Sequence, residues 1–77
     1  MDLTFDSIVQ MLINIADVSS YSSSNRPTLT LGANNLAKIP TKEEDIEKDE
    51  EGIEIPKFRE AWNAYNTAKN TKKWIIA

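Results

Sequence analysis

The feature that most constrains the fold of this chain is the helical pattern of its last third. Five apolar residues recur there at the spacing of one face of an amphipathic helix. They are Phe58, Ala61, Trp62, Tyr65 and Ala68. Pro56 stands where the first turn of a helix tolerates proline. We therefore predict a helix over about residues 56–74, with Trp74–Ile76 projecting at its end as an apolar tip.

A second helical pattern lies near the beginning of the chain. Six apolar residues share one helical face there. They are Phe5, Ile8, Val9, Leu12, Ile13 and Ala16. Thr4 is a suitable N-cap, because its hydroxyl can accept a hydrogen bond from the first helical turn. The predicted helix spans about residues 4–18, and its broad apolar face suits either a core or contact with a partner.

The region between the two helices is polar, with weak signals for regular structure. Five serines and Pro27 indicate a loop over residues 19–27. Polar and apolar residues alternate from Thr28 to Leu31, which predicts a short strand. Turn residues follow, and the chain is expected to return as a second strand, giving an extended hairpin over 28–39. The alternative is an extended arm that completes its hydrogen bonds on another chain.

An acidic segment joins this region to the last helix. Residues 41–55 carry eight acidic and two basic residues, a net charge of −6. Only Ile46 is apolar between Thr41 and Gly52, so we expect a solvated helix or a disordered acidic connector over 41–52. The sequence as a whole predicts a mostly α protein that forms a single small domain over residues 1–77.

The composition argues against catalysis. The chain of 77 residues has no cysteine and no histidine, which excludes disulfides and removes the usual zinc ligands and catalytic bases. Its two glycines form no phosphate-binding loop, and its acidic residues lack the order of a calcium-binding EF-hand. We therefore predict that the protein is not an enzyme and has no catalytic residues, metal, cofactor or small-molecule substrate.

Protein–protein interaction is the function that the pattern favours most. A chain this short has a thin core and gains stability by oligomerisation or by docking. We expect a structural or accessory subunit that docks onto a larger protein assembly or forms a homo-oligomer; a small phage or virion protein would suit the composition. The expected partner-binding residues are Phe58, Trp62, Tyr65, Trp74, Ile75, Phe5 and Leu12. Whether the aromatic face is an internal core or an external interface stays open.

Two other functions follow from the charge distribution. The acidic residues between 43 and 54 could imitate nucleic acid and block an enzyme that binds it. The last helix carries five basic residues among its aromatic residues, which could instead contact nucleic acid directly. No apolar run reaches the roughly 20 residues of a membrane span. No secretory signal is recognisable, so we expect a cytoplasmic or virion location.

Overall fold

The computed structural model describes residues 2–77 and, apart from Ser23, their side chains. Three α-helices dominate, consistent with the predicted mostly α class, and a very small parallel sheet accompanies them. The helices are α1 (Phe5–Asn14), α2 (Ala33–Leu36) and α3 (Pro56–Asn66), and α3 continues as a π-helical segment, Thr67–Thr71. Two 3-10 turns are at Ser23–Asn25 and Glu43–Asp45. The strands are β1 (Thr28–Leu29) and β2 (Ile75–Ile76).

Helix α1 begins where the sequence predicts and ends earlier. The Thr4 hydroxyl accepts a hydrogen bond of 3.1 Å from the Ser7 N–H and caps the first turn. The backbone turns extended at Ile15, so the predicted last turn to residue 18 does not form. Residues 17–19 bond elsewhere: the Asp17 side chain accepts the Ser19 N–H, and the Val18 N–H donates to the main-chain oxygen of Lys72. These bonds replace the helical ladder.

Helix α3 begins at Pro56, as predicted, but the helical region ends before Trp74. Lys73 has a φ of 67°, the left-handed conformation that commonly ends a helix. The Trp74 N–H then donates to the Ala68 oxygen at 3.0 Å, and the chain leaves in an extended form. The predicted free apolar tip is therefore wrong, because Ile75 and Ile76 form a strand within the fold.

Strand β1 pairs with the end of the chain rather than with its neighbour. Thr28 lies opposite Ile75 and Leu29 opposite Ile76, in parallel. The predicted hairpin over 28–39 is wrong, because Gly32 adopts a φ of 86° and the next four residues form α2. The alternative of an arm paired with another chain is also not what the structure shows, since β2 of the same chain supplies the hydrogen bonds.

The acidic connector forms neither the predicted α-helix nor the predicted disordered segment, but a 3-10 turn at Glu43–Asp45 followed by a hairpin. Residues 47–55, which we name the acidic hairpin, fold back on themselves, with an antiparallel bridge between Lys48 and Glu54. The Asp49 carboxylate accepts the N–H groups of Glu51 and Ile53, and Gly52 takes a φ of 82° at the turn. The Asp49 side chain and Gly52 thus form a turn that the hydropathy pattern of the sequence does not predict.

The core lies between α1 and α3. Helix α1 contributes Ile8, Val9 and Leu12, α3 contributes Ala61, Ala64 and Tyr65, the π-helical segment contributes Ala68, and Leu31 and Ile39 close it from the connecting region. Ala61 and Ala68 are fully buried, so their small side chains allow the helices to approach closely. The core is built by tertiary contacts between the two ends of the chain.

Candidate partner-binding site

The N-terminal ends of α1 and α3 meet in a cleft of about 500 Å³. Phe5 of α1 and Phe58 of α3 form its aromatic floor, with ring centroids 5.2 Å apart and ring planes at 72°. This edge-to-face arrangement is favourable for aromatic pairs. Both rings are only partly buried, so the pair presents apolar surface to solvent. We name this feature the aromatic cleft.

Charged side chains of both signs surround the two rings. The Lys57 Nζ lies 5.1 Å from the centroid of Phe58 and 5.8 Å from that of Phe5, within the range of cation–π attraction. Lys38, Glu47 and Asp6 also line the cleft. The Lys38 ammonium donates to the main-chain oxygen of Leu3, which holds that lysine at the edge. The cleft therefore has an apolar floor and a rim without a single dominant charge.

A second depression of about 270 Å³ adjoins the aromatic cleft. The two share Lys38, Glu47 and Phe58 as lining residues, and the second continues along residues 36–41. Pro40, which lines it, is buried. Together the two depressions provide a surface longer than the aromatic pair alone.

Of the seven residues predicted to bind a partner, two lie in the aromatic cleft. Phe5 and Phe58 meet in the aromatic cleft, while Trp62 is half-buried beside Tyr65, with ring centroids 6.2 Å apart. Leu12 and Tyr65 lie in the core, at 1% and 7% exposure. Trp74 is half-buried and Ile75 is 45% exposed in β2, both distant in sequence from the cleft residues. In this fold much of the aromatic face is internal.

The acidic hairpin is anchored to α3 by Arg59. Its Nε and Nη2 atoms donate to the two carboxylate oxygens of Glu54 at 2.8 and 2.6 Å, and its Nη1 donates to Glu43 at 3.0 Å. The hydrogen bonds from Arg59 hold the pKa of Glu54 below its ordinary value. The bonds that Arg59 donates to Glu54 and Glu43 in turn raise the pKa of Arg59. Two of the eight acidic groups thus form ion pairs within the fold.

Sequence reasoning missed the roles of Lys57 and Arg59. It grouped both with the basic residues of the last helix, whereas Lys57 covers the phenylalanine rings and Arg59 holds the acidic hairpin. The position of Lys57 beside Phe58 in the first turn was a usable signal. Nothing in the sequence identified which carboxylates Arg59 would pair with, because Glu43 is 16 residues away.

Two other kinds of site, a metal site and a membrane-spanning helix, have no support among the described residues. Within residues 2–77, no three or more acidic side chains are grouped so that they could hold a metal ion. No helix in the same range has the length and apolar character to cross a membrane. Neither a protein-family model, nor a curated protein, nor a solved structure matches the chain.

Proposed function

We propose that this protein is a non-enzymatic accessory subunit that docks onto a larger protein assembly through the aromatic cleft. The observation that carries the proposal is the pairing of Phe5 and Phe58, two partly exposed rings from separate helices at the floor of one cleft. Aromatic residues in such a position are typical anchors of protein interfaces. A virion is one assembly that the composition would suit.

The charges around the cleft favour a protein partner over nucleic acid. Lys38 and Lys57 are balanced by Asp6 and Glu47. A polyanion would be attracted by the lysines and repelled by the carboxylates, whereas a protein segment with an apolar anchor and mixed polar flanks would satisfy both.

A second candidate is an inhibitor that presents the acidic segment to a nucleic-acid-binding enzyme. The observation that favours it is the ordered anchoring of that segment, which holds the exposed carboxylates of Glu44, Glu50 and Glu51 on one fixed framework. Fixed carboxylates can imitate the regular charges of a phosphate backbone better than a flexible tail. Glu43 and Glu47 are less suitable for testing this candidate, since Glu43 pairs with Arg59 and Glu47 lines the cleft.

Two matched variants separate the candidates. Phe58→Ser removes an aromatic anchor, and the triple change Glu44→Lys, Glu50→Lys and Glu51→Lys reverses the acidic surface without touching the cleft. Proteins retained by the immobilised chain from its source cells are identified, purified and measured directly for affinity. Circular dichroism establishes that each variant is folded.

The docking proposal predicts that Phe58→Ser weakens binding by at least about tenfold, the effect of a single interface anchor, while the triple variant binds nearly as wild type. The reverse pattern supports the inhibitor. Ile53→Ser is the control, because Ile53 is 59% exposed and lies off the cleft. Equal binding by wild type and Phe58→Ser contradicts docking through the cleft.

A further inference from the structure

A separate depression of about 200 Å³ lies at the other end of the helices, where the chain leaves the π-helical segment. Ser19, Tyr21, Arg26 and Lys73 line it. Tyr21 is 55% exposed, although it is a large aromatic residue. Two cations, an aromatic ring and two hydroxyl groups thus face one small surface. None of these residues belongs to the aromatic cleft.

A hydrogen bond joins the Arg26 side chain to the backbone of Lys73, and both residues line the depression. The Arg26 Nε donates to the main-chain oxygen of Lys73 at 2.7 Å, which leaves the Nη nitrogens of Arg26 without a recorded partner among residues 2–77. The ion pairs of these described residues all involve Arg59, so neither Arg26 nor Lys73 is neutralised by a carboxylate. Asp17 is nearby in sequence, but it accepts the Ser19 N–H and does not line the depression. Two cationic residues that line one depression and have no carboxylate partner among the described residues favour a bound anion.

The backbone conformation of Lys73 is a second reason to expect a binding site here. Lys73 is the one non-glycine residue in the left-handed region within residues 2–77, with a φ of 67°. Glycine is the usual residue at this position after a helix, because a Cβ is strained there. The chain has lysine instead, and this lysine lines the depression together with Arg26. Residues held in such conformations are frequent in binding sites.

We infer that this depression binds an oxyanion, in particular a phosphate group. Arg26 offers its free Nη donors and Lys73 its ammonium, and both suit the oxygens of a phosphate. The hydroxyl groups of Ser19 and Tyr21 are further donors. The ring of Tyr21 is open to a planar group, such as a base, attached to that phosphate. This site shares no residue with the aromatic cleft, so the inference does not depend on the docking proposal.

The test is a titration of the ¹⁵N-labelled full chain with inorganic phosphate, followed by NMR at constant ionic strength set with sodium chloride. We expect saturable shifts of the amide signals of Ser19, Tyr21, Arg26 and Lys73. Absence of saturable shifts at these residues overturns the inference. Shifts spread over all lysines show nonspecific ion binding and overturn it as well.

Lys73→Asn is the decisive variant, because asparagine tolerates the left-handed conformation and removes the charge. It is expected to weaken phosphate binding about tenfold, the loss of one charge-assisted contact. Lys42→Asn is the matched control, since it makes the same change at an exposed residue that does not line the depression. If Lys42→Asn weakens binding equally, the effect is one of net charge and the inference is overturned.

A parallel titration with adenosine monophosphate identifies the source of the phosphate. Tighter binding than inorganic phosphate, lost in Tyr21→Ala, shows a nucleotide stacked on the ring. Equal binding shows that the site recognises the phosphate group alone. Both results support the oxyanion site. Binding of adenosine monophosphate that is unaffected by Lys73→Asn contradicts it.

Discussion

The indole Nε1 of Trp74 donates a hydrogen bond of 2.7 Å to the main-chain oxygen of Ala16. This bond joins the end of the chain to the extended segment that follows α1. The Val18 N–H reinforces it by donating to the Lys72 oxygen at 3.0 Å. Residues 72–77 then pass between this segment and β1, so the C-terminal segment connects the two parts of the chain that flank the serine-rich loop.

We expect Trp74→Phe to lower the free energy of unfolding by about 0.5–1.5 kcal/mol, the net value of one hydrogen bond. Phenylalanine keeps an aromatic ring at this position and removes the Nε1 donor. Urea unfolding followed by circular dichroism measures the change. Ile53→Ala is the control and is expected to stay within about 0.5 kcal/mol, because Ile53 is exposed. An unchanged stability in Trp74→Phe would show that the bond to Ala16 contributes nothing.

Lys72 stabilises the end of α1. Its Nζ donates to the main-chain oxygens of Ile13 at 2.9 Å and Ile15 at 2.8 Å, where the carbonyl groups of the helix have no helical partner. Lys72→Met keeps the aliphatic stem and removes the charge, and we expect a loss of about 1.5–3 kcal/mol in unfolding free energy. The same substitution at Lys42, which is exposed, should have little effect. If Lys72→Met and Lys42→Met have the same unfolding free energy, Lys72 does not stabilise the end of α1.

Leu12→Ala distinguishes a core residue from an interface residue. Leu12 is 1% exposed, and its truncation is expected to cost about 2–5 kcal/mol in the purified chain alone. The neighbouring Ile13 is 41% exposed, so Ile13→Ala should cost much less. Thermal or urea unfolding of both variants makes the comparison. A small effect at Leu12 would mean that its contacts form only with a partner.

The pairing of Glu54 with Arg59 predicts a dependence of stability on pH. Because the pKa of Glu54 is lowered in the folded chain from its ordinary value of 4.5, the carboxylate stabilises the fold above that value. This contribution is lost as the pH falls through the lowered pKa. Glu54→Gln should therefore flatten the decline in urea midpoint on acidification from about pH 6 to about pH 3.

The urea midpoint of Glu54→Gln still declines on acidification, since the pKa of Asp17 is also lowered by the Ser19 N–H. Glu60→Gln is the matched control, because Glu60 is exposed on α3 and takes no part in the ion pairs with Arg59. The urea midpoint of Glu60→Gln should decline on acidification in the same way as that of the wild type. If the urea midpoints of Glu54→Gln and the wild type decline in parallel, the ionisation of Glu54 does not contribute to the pH dependence of stability.

Lys73→Gly is expected to raise the unfolding free energy by about 0.5–1 kcal/mol. Glycine has no Cβ and adopts a positive φ without strain, which outweighs its greater freedom in the unfolded chain. Lys73→Ala is the control: it also removes the charge but keeps the Cβ, so it should not stabilise the chain. A stabilisation shared by both variants would point to relief of charge repulsion with Arg26 instead of backbone strain.

Part of the candidate site could be predicted from the sequence. Phe5 and Phe58 were both expected at a partner surface, because each begins the apolar face of a predicted helix. Their meeting in one cleft could not be predicted, since it depends on the packing of α1 against α3. Leu12 and Tyr65 show the converse: a helical pattern marks apolar residues without saying whether another helix of the chain will cover them.

The sequence alone determined where the two long helices begin. Thr4 and Pro56 act within one turn of the backbone, so their effect does not depend on the rest of the fold. Tertiary structure decided where the helices end and what β1 pairs with. Ile15 leaves the helix beside Lys72, and Leu29 pairs with Ile76, 47 residues later. Such contacts join distant parts of the chain, and local propensity carries no information about them.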